Sequence, residues 1–295
     1  MPLALPLLAS FLYAVGSWGL KLGLRRGAGS RVVTALSNLA MAGWSAPLIL
    51  FFPGQPHPHG FLAAASAGSA LFLGRFCAIR ALSRGDLSLA TPLLGTKTVF
   101  VALLSTFLLE EKISLGLMGG AFLTSVAVTL LSFTPSSTTR PGALGKIDRK
   151  TTLWALGAAF FFAVTDIIVQ KYARTIGVGW FQPIMFSTLA ALTPLLFIST
   201  RPNISSTSLP PPSRWPVFVS SGVIGFQTSL VILVIGIFGH ATATNVVYAT
   251  RGLWAVLLEG AAGGGAAAMD RKILVTRLAG AALLLAAVAL AVGSL

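Results

Sequence analysis

Long apolar runs separated by short polar gaps decide most of what this chain can become. A helix that crosses a bilayer needs roughly 20 mostly apolar residues. Ten stretches meet that need: 2–21, 32–52, 60–82, 87–109, 114–133, 151–173, 179–199, 214–237, 241–263 and 273–293. Of the 295 residues, 55% are hydrophobic and only 9% charged, whereas a soluble domain carries about 25% charged residues. The reading is an all-α integral membrane protein with ten transmembrane helices. The first run has no cation ahead of it, and Lys21 follows it. It therefore reads as a retained first helix rather than a signal peptide.

The charges set orientation rather than function. A net charge of +14 would suit nucleic acid, but most Lys and Arg lie in the gaps and form no solvated basic face. The sequence predicts no nucleic-acid partner; its large partner is the lipid bilayer. Fifteen of the 21 cations fall in or close to the odd-numbered gaps and three in or close to the even-numbered ones. The positive-inside rule then places the odd loops in the cytoplasm and both termini outside, in a multi-pass protein of the plasma (inner) membrane.

The chain also resembles itself. Shifted by 154 residues, "GTKTVFVALL" meets "ATRGLWAVLL", so that Thr96 falls on Thr250, Lys97 on Arg251 and Phe100 on Trp254. At a slightly different offset Ala14-Val15 meets Ala163-Val164, which sets Ser17 on Asp166. Residues 1–134 form one five-helix repeat, 135–150 a linking loop and 151–295 the second repeat. Five is odd, so the second repeat enters from the opposite side. Inverted repeats of this kind place a binding site near the midplane between the halves.

The segment "ALSRGDLSLATPLLGTKTVFVALLSTFLLEEKIS", Ala81 to Ser114, carries a family resemblance. A glycine-containing turn leads into a proline-containing helix, and Glu110-Glu111 supplies an acidic pair near its end. In this the chain resembles the drug/metabolite transporter superfamily, in particular its EamA-like members. The second half departs from the pattern, because its acid, Asp270, comes about six residues later. The resemblance implies two EamA-like repeats and a secondary transporter, usually an exporter, that works by alternating access. The superfamily's sugar-phosphate translocators hold phosphate with basic residues on helices 4 and 9, where Lys97 and Arg251 lie here. Its small cation exporters use a glutamate in the first helix, where this chain has Ser17.

An ionisable group deep in a bilayer marks a pathway or a site by default. Lys97 and Arg251 each lie about ten residues into their spans, near the middle of a ~30 Å core. They form a candidate substrate-binding pair for an anionic or zwitterionic metabolite, since Arg grips carboxylate or phosphate with two hydrogen bonds. The other reading pairs them with Asp166 and Glu259. Helical spacing adds Tyr248, Trp254 and Phe100 as cavity walls, and Tyr13 and Ser17 on the first helix. Asp166 and Gln170 lie on the matching stripe of the sixth. Asp166 sets the charge balance or carries a proton that couples transport. Arg75 reads as structural, its head snorkelling to the membrane surface. Asn38, Gln182 and Gln227 read as helix bridges, and Trp44, Trp154, Trp180 and Trp215 as interfacial anchors.

No nucleotide loop, H-E-x-x-H, cysteine pair or G-x-S-x-G occurs. The reading is therefore no enzyme, no cofactor and no metal; His57-Pro58-His59 lacks further ligands. Cys77 is the only cysteine. The alternatives are a flippase for a phosphate-headed lipid carrier and a non-transporting membrane scaffold. A monomer and a homodimer are equally compatible with the sequence.

Overall fold

The computed structural model describes residues 3–84, 93–110, 113–132, 149–198, 207–261 and 271–294. Most of the linking loop, Glu111, Asp270 and much of the Gly260–Ala268 run lie outside the described residues, as does the side chain of Glu259.

Among the described residues all regular structure is helical. The first half holds α1 (Ala4–Arg25), α2 (Ser30–Ser45), the short α3 (Leu48–Phe51), α4 (Pro58–Arg84), α5 (Lys97–Leu108) and α6 (Leu115–Ser132). The second holds α7 (Arg149–Ile176), α8 (Val178–Leu192), the short α9 (Leu195–Ile198), α10 (Pro211–Phe238), α11 (Ala241–Tyr248), α12 (Arg251–Ala261) and α13 (Arg271–Val292). Among the described residues, seven helical stretches are long and apolar enough to cross a membrane. Leu93–Leu108 and Leu115–Leu131 are apolar but shorter, and the ninth apolar run is divided between α11 and α12. The chain is a multi-pass membrane protein. In lipid each backbone N–H and C=O needs a partner within the protein, and a helix supplies one for nearly all of them.

Large apolar side chains such as Phe181, Phe186 and Leu189 fill the interior, but many others face outward, and alanines line the closest helix contacts. Leu115 is 89% exposed and Phe107 76%, while Ala64, Ala67, Ala158, Ala159 and Ala163 are fully buried. Small residues let helix backbones approach, which is how helices associate in lipid. At the α1–α10 contact a Cβ on Gly16 would stand 2.9 Å from the Ile224 side chain.

The contacts come in mates under the half-chain shift. α4 packs along α7 as α10 packs along α1; α2 meets α10 as α8 meets α4; α5 meets α7 as α12 meets α1. Two contacts are their own mates: α6 with α13, and α2 with α8.

The connections gather at two ends. At one, the Gly29 N–H donates to the Ser208 carbonyl at 2.8 Å and Arg26 donates to the Pro212 carbonyl at 3.1 Å. At the other, the C-terminus of α7 is tied to three neighbours. Arg174 donates from Nε and Nη2 to the Ile237 carbonyl at 3.0 and 2.6 Å. Lys171 donates to the Leu108 carbonyl at 3.3 Å, and Gln170 accepts the Ala241 N–H at 2.9 Å. Gly177, at φ 85°, reverses the chain there in a single residue between α7 and α8, a conformation costly for a side chain with a Cβ.

Candidate functional site

Two helix breaks build the site. The Thr96 N–H bonds to the Leu93 carbonyl at 3.2 Å, and Val99 and Phe100 both donate to the Thr96 carbonyl. The second half repeats this: Thr250 donates to Val247 at 3.1 Å, and Leu253 and Trp254 donate to the Thr250 carbonyl. Each threonine hydroxyl also folds back onto the carbonyl three residues earlier, at 2.7 Å in both cases. The ladder thus tightens locally to i→i+3 bonding, which inside a longer helix marks a hinge or a functional site. In lipid such a break is tolerated where it is buried or lines a cavity. Lys97 and Arg251 are the residues that follow the two breaks, and both line one cavity.

That cavity has a volume of about 390 Å³, within the range of small-molecule sites. Its walls come from α1, α2, α4, α7 and α10, together with the two breaks. The lining includes Val33, Thr34 and Ser37 near the start of α2 and Ile79 near the end of α4, so it reaches from the breaks toward the end that holds Gly29 and Ser208.

The two cations are held differently. Lys97 Nζ lies 2.7 Å from Asp166 Oδ2, with the carboxylate side chain 4% exposed. The same oxygen accepts Asn245 Nδ2 at 2.6 Å. Arg251 makes no ion pair among the described residues. Its guanidinium stands 4.9 Å from the Tyr13 ring centre and 4.6 Å from that of Tyr248, within cation–π range. The two rings meet edge to face at 6.0 Å, and the Tyr248 hydroxyl donates to Gln227 Oε1 at 2.8 Å.

Of the residues singled out from sequence, Lys97, Arg251, Tyr248, Tyr13, Ser17 and Asp166 come together on this lining. Phe100, Trp254 and Gln170 are not on it. Phe100 packs edge-on against Phe160 at 5.9 Å, and Trp254 against Phe11 at 5.4 Å. Gln170 points up the axis of α7 to Ala241. Asn38 bridges to Thr193 and Gln182 to the Ser229 carbonyl. Trp44 and Trp215 are exposed, whereas Trp154 packs on Phe76 and Trp180 against the core. His57 Nδ1 accepts the Gly60 N–H at the start of α4.

One sequence reading changes. Arg75, read as a snorkelling structural residue, lines the cavity, and its buried Nε has no hydrogen-bond partner. Gln227, read as a helix bridge, does join α10 to Tyr248 of α11, and it lines the cavity as well. Asn245 was not singled out at all. The available signal was a lone amide in an apolar run, four residues after Ala241 and six before Arg251.

A solved crystal structure aligns over 97% of this chain and 96% of its own, with a TM-score of 0.71 at 17% identity. At that identity the likeness is one of fold. No curated protein matches the chain. Residues 2–133 match the EamA-like transporter family, whose members are membrane transporters. Over these residues the chain is similar to the EamA-like transporter family, which is consistent with the drug/metabolite transporter superfamily.

Proposed function

We propose that this protein is a secondary transporter that exports a small metabolite with an anionic or zwitterionic group, binding it in the cavity between two inverted five-helix repeats. The charge balance of the lining carries the reading. Among the described residues, Arg75, Lys97 and Arg251 share one small cavity with a single carboxylate, Asp166. Excess buried positive charge is costly, and an anionic ligand relieves it. Two further observations agree. Helix contacts come in mates across the half-chain shift, as two repeats require. The half-helix that starts at Arg251 presents its N-terminus, the positive end of its dipole, to the cavity. With the odd-numbered loops in the cytoplasm, the cavity reaches toward that side while the outer end is closed by α7. Alternating access then consists of exchanging which end is tied.

The test uses protein reconstituted in vesicles and preloaded with candidate anions, amino acids, neutral sugars or organic cations. Counterflow of a labelled anion or amino acid, abolished in Arg251→Ala with the fold intact, is the expected result. Uptake confined to cations, or full activity in that variant, overturns the site.

A further inference from the structure

Among the described residues four charged side chains line the cavity, and they are not equivalent. Lys97 and Asp166 neutralise each other at 2.7 Å. Asn245 takes part of the same carboxylate. The other two are guanidiniums with no direct ion pair among the described residues; Asp166 acts on Arg251 only at longer range. Arg251 lies against the ring faces of Tyr13 and Tyr248, which attract a cation but carry no net negative charge. Arg75 has no ion pair among the described residues, and its Nε is shut away from the surface without a hydrogen bond. Arg75 comes from α4 and Arg251 from the start of α12, so they stand on separate walls of one 390 Å³ space. Tyr13 interacts with both.

We infer that the cavity takes a dianion, held by Arg251 on one side and Arg75 on the other, and that Arg75 decides the preference for two negative charges over one. This rests on the reading of the cavity as an anion site and goes beyond it. Lys97 has no part in the grip, because releasing it to a ligand would strand Asp166. A guanidinium presents paired N–H donors matched to carboxylate or phosphate oxygens. Two of them fit either the two ends of a short dicarboxylate or the oxygens of one phosphomonoester. A monoanion leaves one guanidinium uncompensated.

The experiment is a thermal-shift titration of the full chain in detergent. Succinate and butyrate are compared because they share a four-carbon skeleton and differ by one charge. Glycerol 3-phosphate and glycerol form the phosphomonoester arm. Bound ligand raises the apparent stability as ln(1 + [L]/Kd). The expected result is a dianion of one arm acting at concentrations lower than butyrate by on the order of ten-fold or more, the size of an added charge-assisted contact. Arg75→Gln should bring that dianion down to the butyrate level, with a much larger loss for the dianion than for butyrate. Arg75→Lys, which keeps the charge, should retain part of the preference, and Arg251→Gln should weaken every anion. In the phosphomonoester arm the preference should also fade as the pH drops through the second phosphate pKa near ~6, a readout that needs no variant. Equal binding of succinate, glycerol 3-phosphate and butyrate overturns the dianion and leaves the anion site standing. So does a preference that survives Arg75→Gln. If none of the three binds, both this inference and the anion site fall.

Discussion

The two halves use the same backbone device and treat its charge in opposite ways. Thr96 and Thr250 break their helices with matching hydrogen bonds, and each is followed by a cation that enters the cavity. Lys97 meets Asp166, whereas Arg251 meets two tyrosine rings. One position accounts for the difference. Asp166 of α7 stands where Ser17 stands in α1, and α7 lies beside Lys97 as α1 lies beside Arg251. The first cation has an acid on its neighbour and pairs with it. At the matching position the second has Ser17, whose hydroxyl bonds the Ala14 carbonyl of its own helix. On the proposed reading, this leaves only the second half with a cation free to meet the ligand.

Substitutions at these mates test the comparison. Lys97→Ala strands a buried carboxylate. It should cost about 3 kcal/mol, near the lower end for a broken buried pair because the cavity admits water to Asp166. The thermal midpoint in detergent reads it, and Lys97→Ala with Asp166→Ala should recover most of the loss. If the single variant is as stable as wild type, Lys97 is not structural and the contrast between the halves disappears. Ser17→Asp makes the second half imitate the first. It should pair with Arg251 and weaken anion binding roughly 100-fold, about 2.7 kcal/mol, without lowering the ligand-free midpoint; unchanged binding would place Arg251 outside the grip.

Tyr248→Phe keeps the ring face on Arg251 but leaves Gln227 Oε1 without the hydroxyl it accepts from. A loss of about 1–2 kcal/mol is expected, with anion affinity little changed. A large loss of affinity would show that the hydroxyl itself meets the ligand. The smallest contrast lies at the breaks. Thr96→Val and Thr250→Val each lose the fold-back bond, but Thr250 also shares a hydrogen bond with Ser10 at 2.8 Å. The second should cost more by about 1 kcal/mol, and equal effects would mean that the Ser10 bond contributes nothing.

Much of this was legible in the sequence, because lipid imposes one rule on every helix. The apolar runs marked the helical segments, and the paired Thr-cation steps singled out Lys97 and Arg251, but 87–109 and 241–263 read as continuous spans and the breaks at Thr96 and Thr250 did not show. Asp166 was already named as the alternative partner of Lys97. Arg75 was not legible, since its role depends on where α4 ends. That helix continues to Arg84, so Arg75 lies roughly 13 Å from its terminus, too deep for the membrane surface to be its natural outlet. Phe100 and Trp254 were drawn to the site by i+3 spacing. Spacing gives only a shared helix face, and both rings pack on neighbouring aromatics, Phe160 and Phe11, that the spacing does not reveal. Gln227 and Asn245 owe their places to helices remote in sequence, and no local pattern records that.

The closed end of the molecule has its own consequence. Gln170, Lys171 and Arg174 all project from one helix, and each engages a peptide group of a neighbour. Main chain is the same whatever the residue, so most replacements at positions 108, 237 and 241 leave these contacts in place. The identity of the tie is written on the α7 side alone, in three residues near its tip.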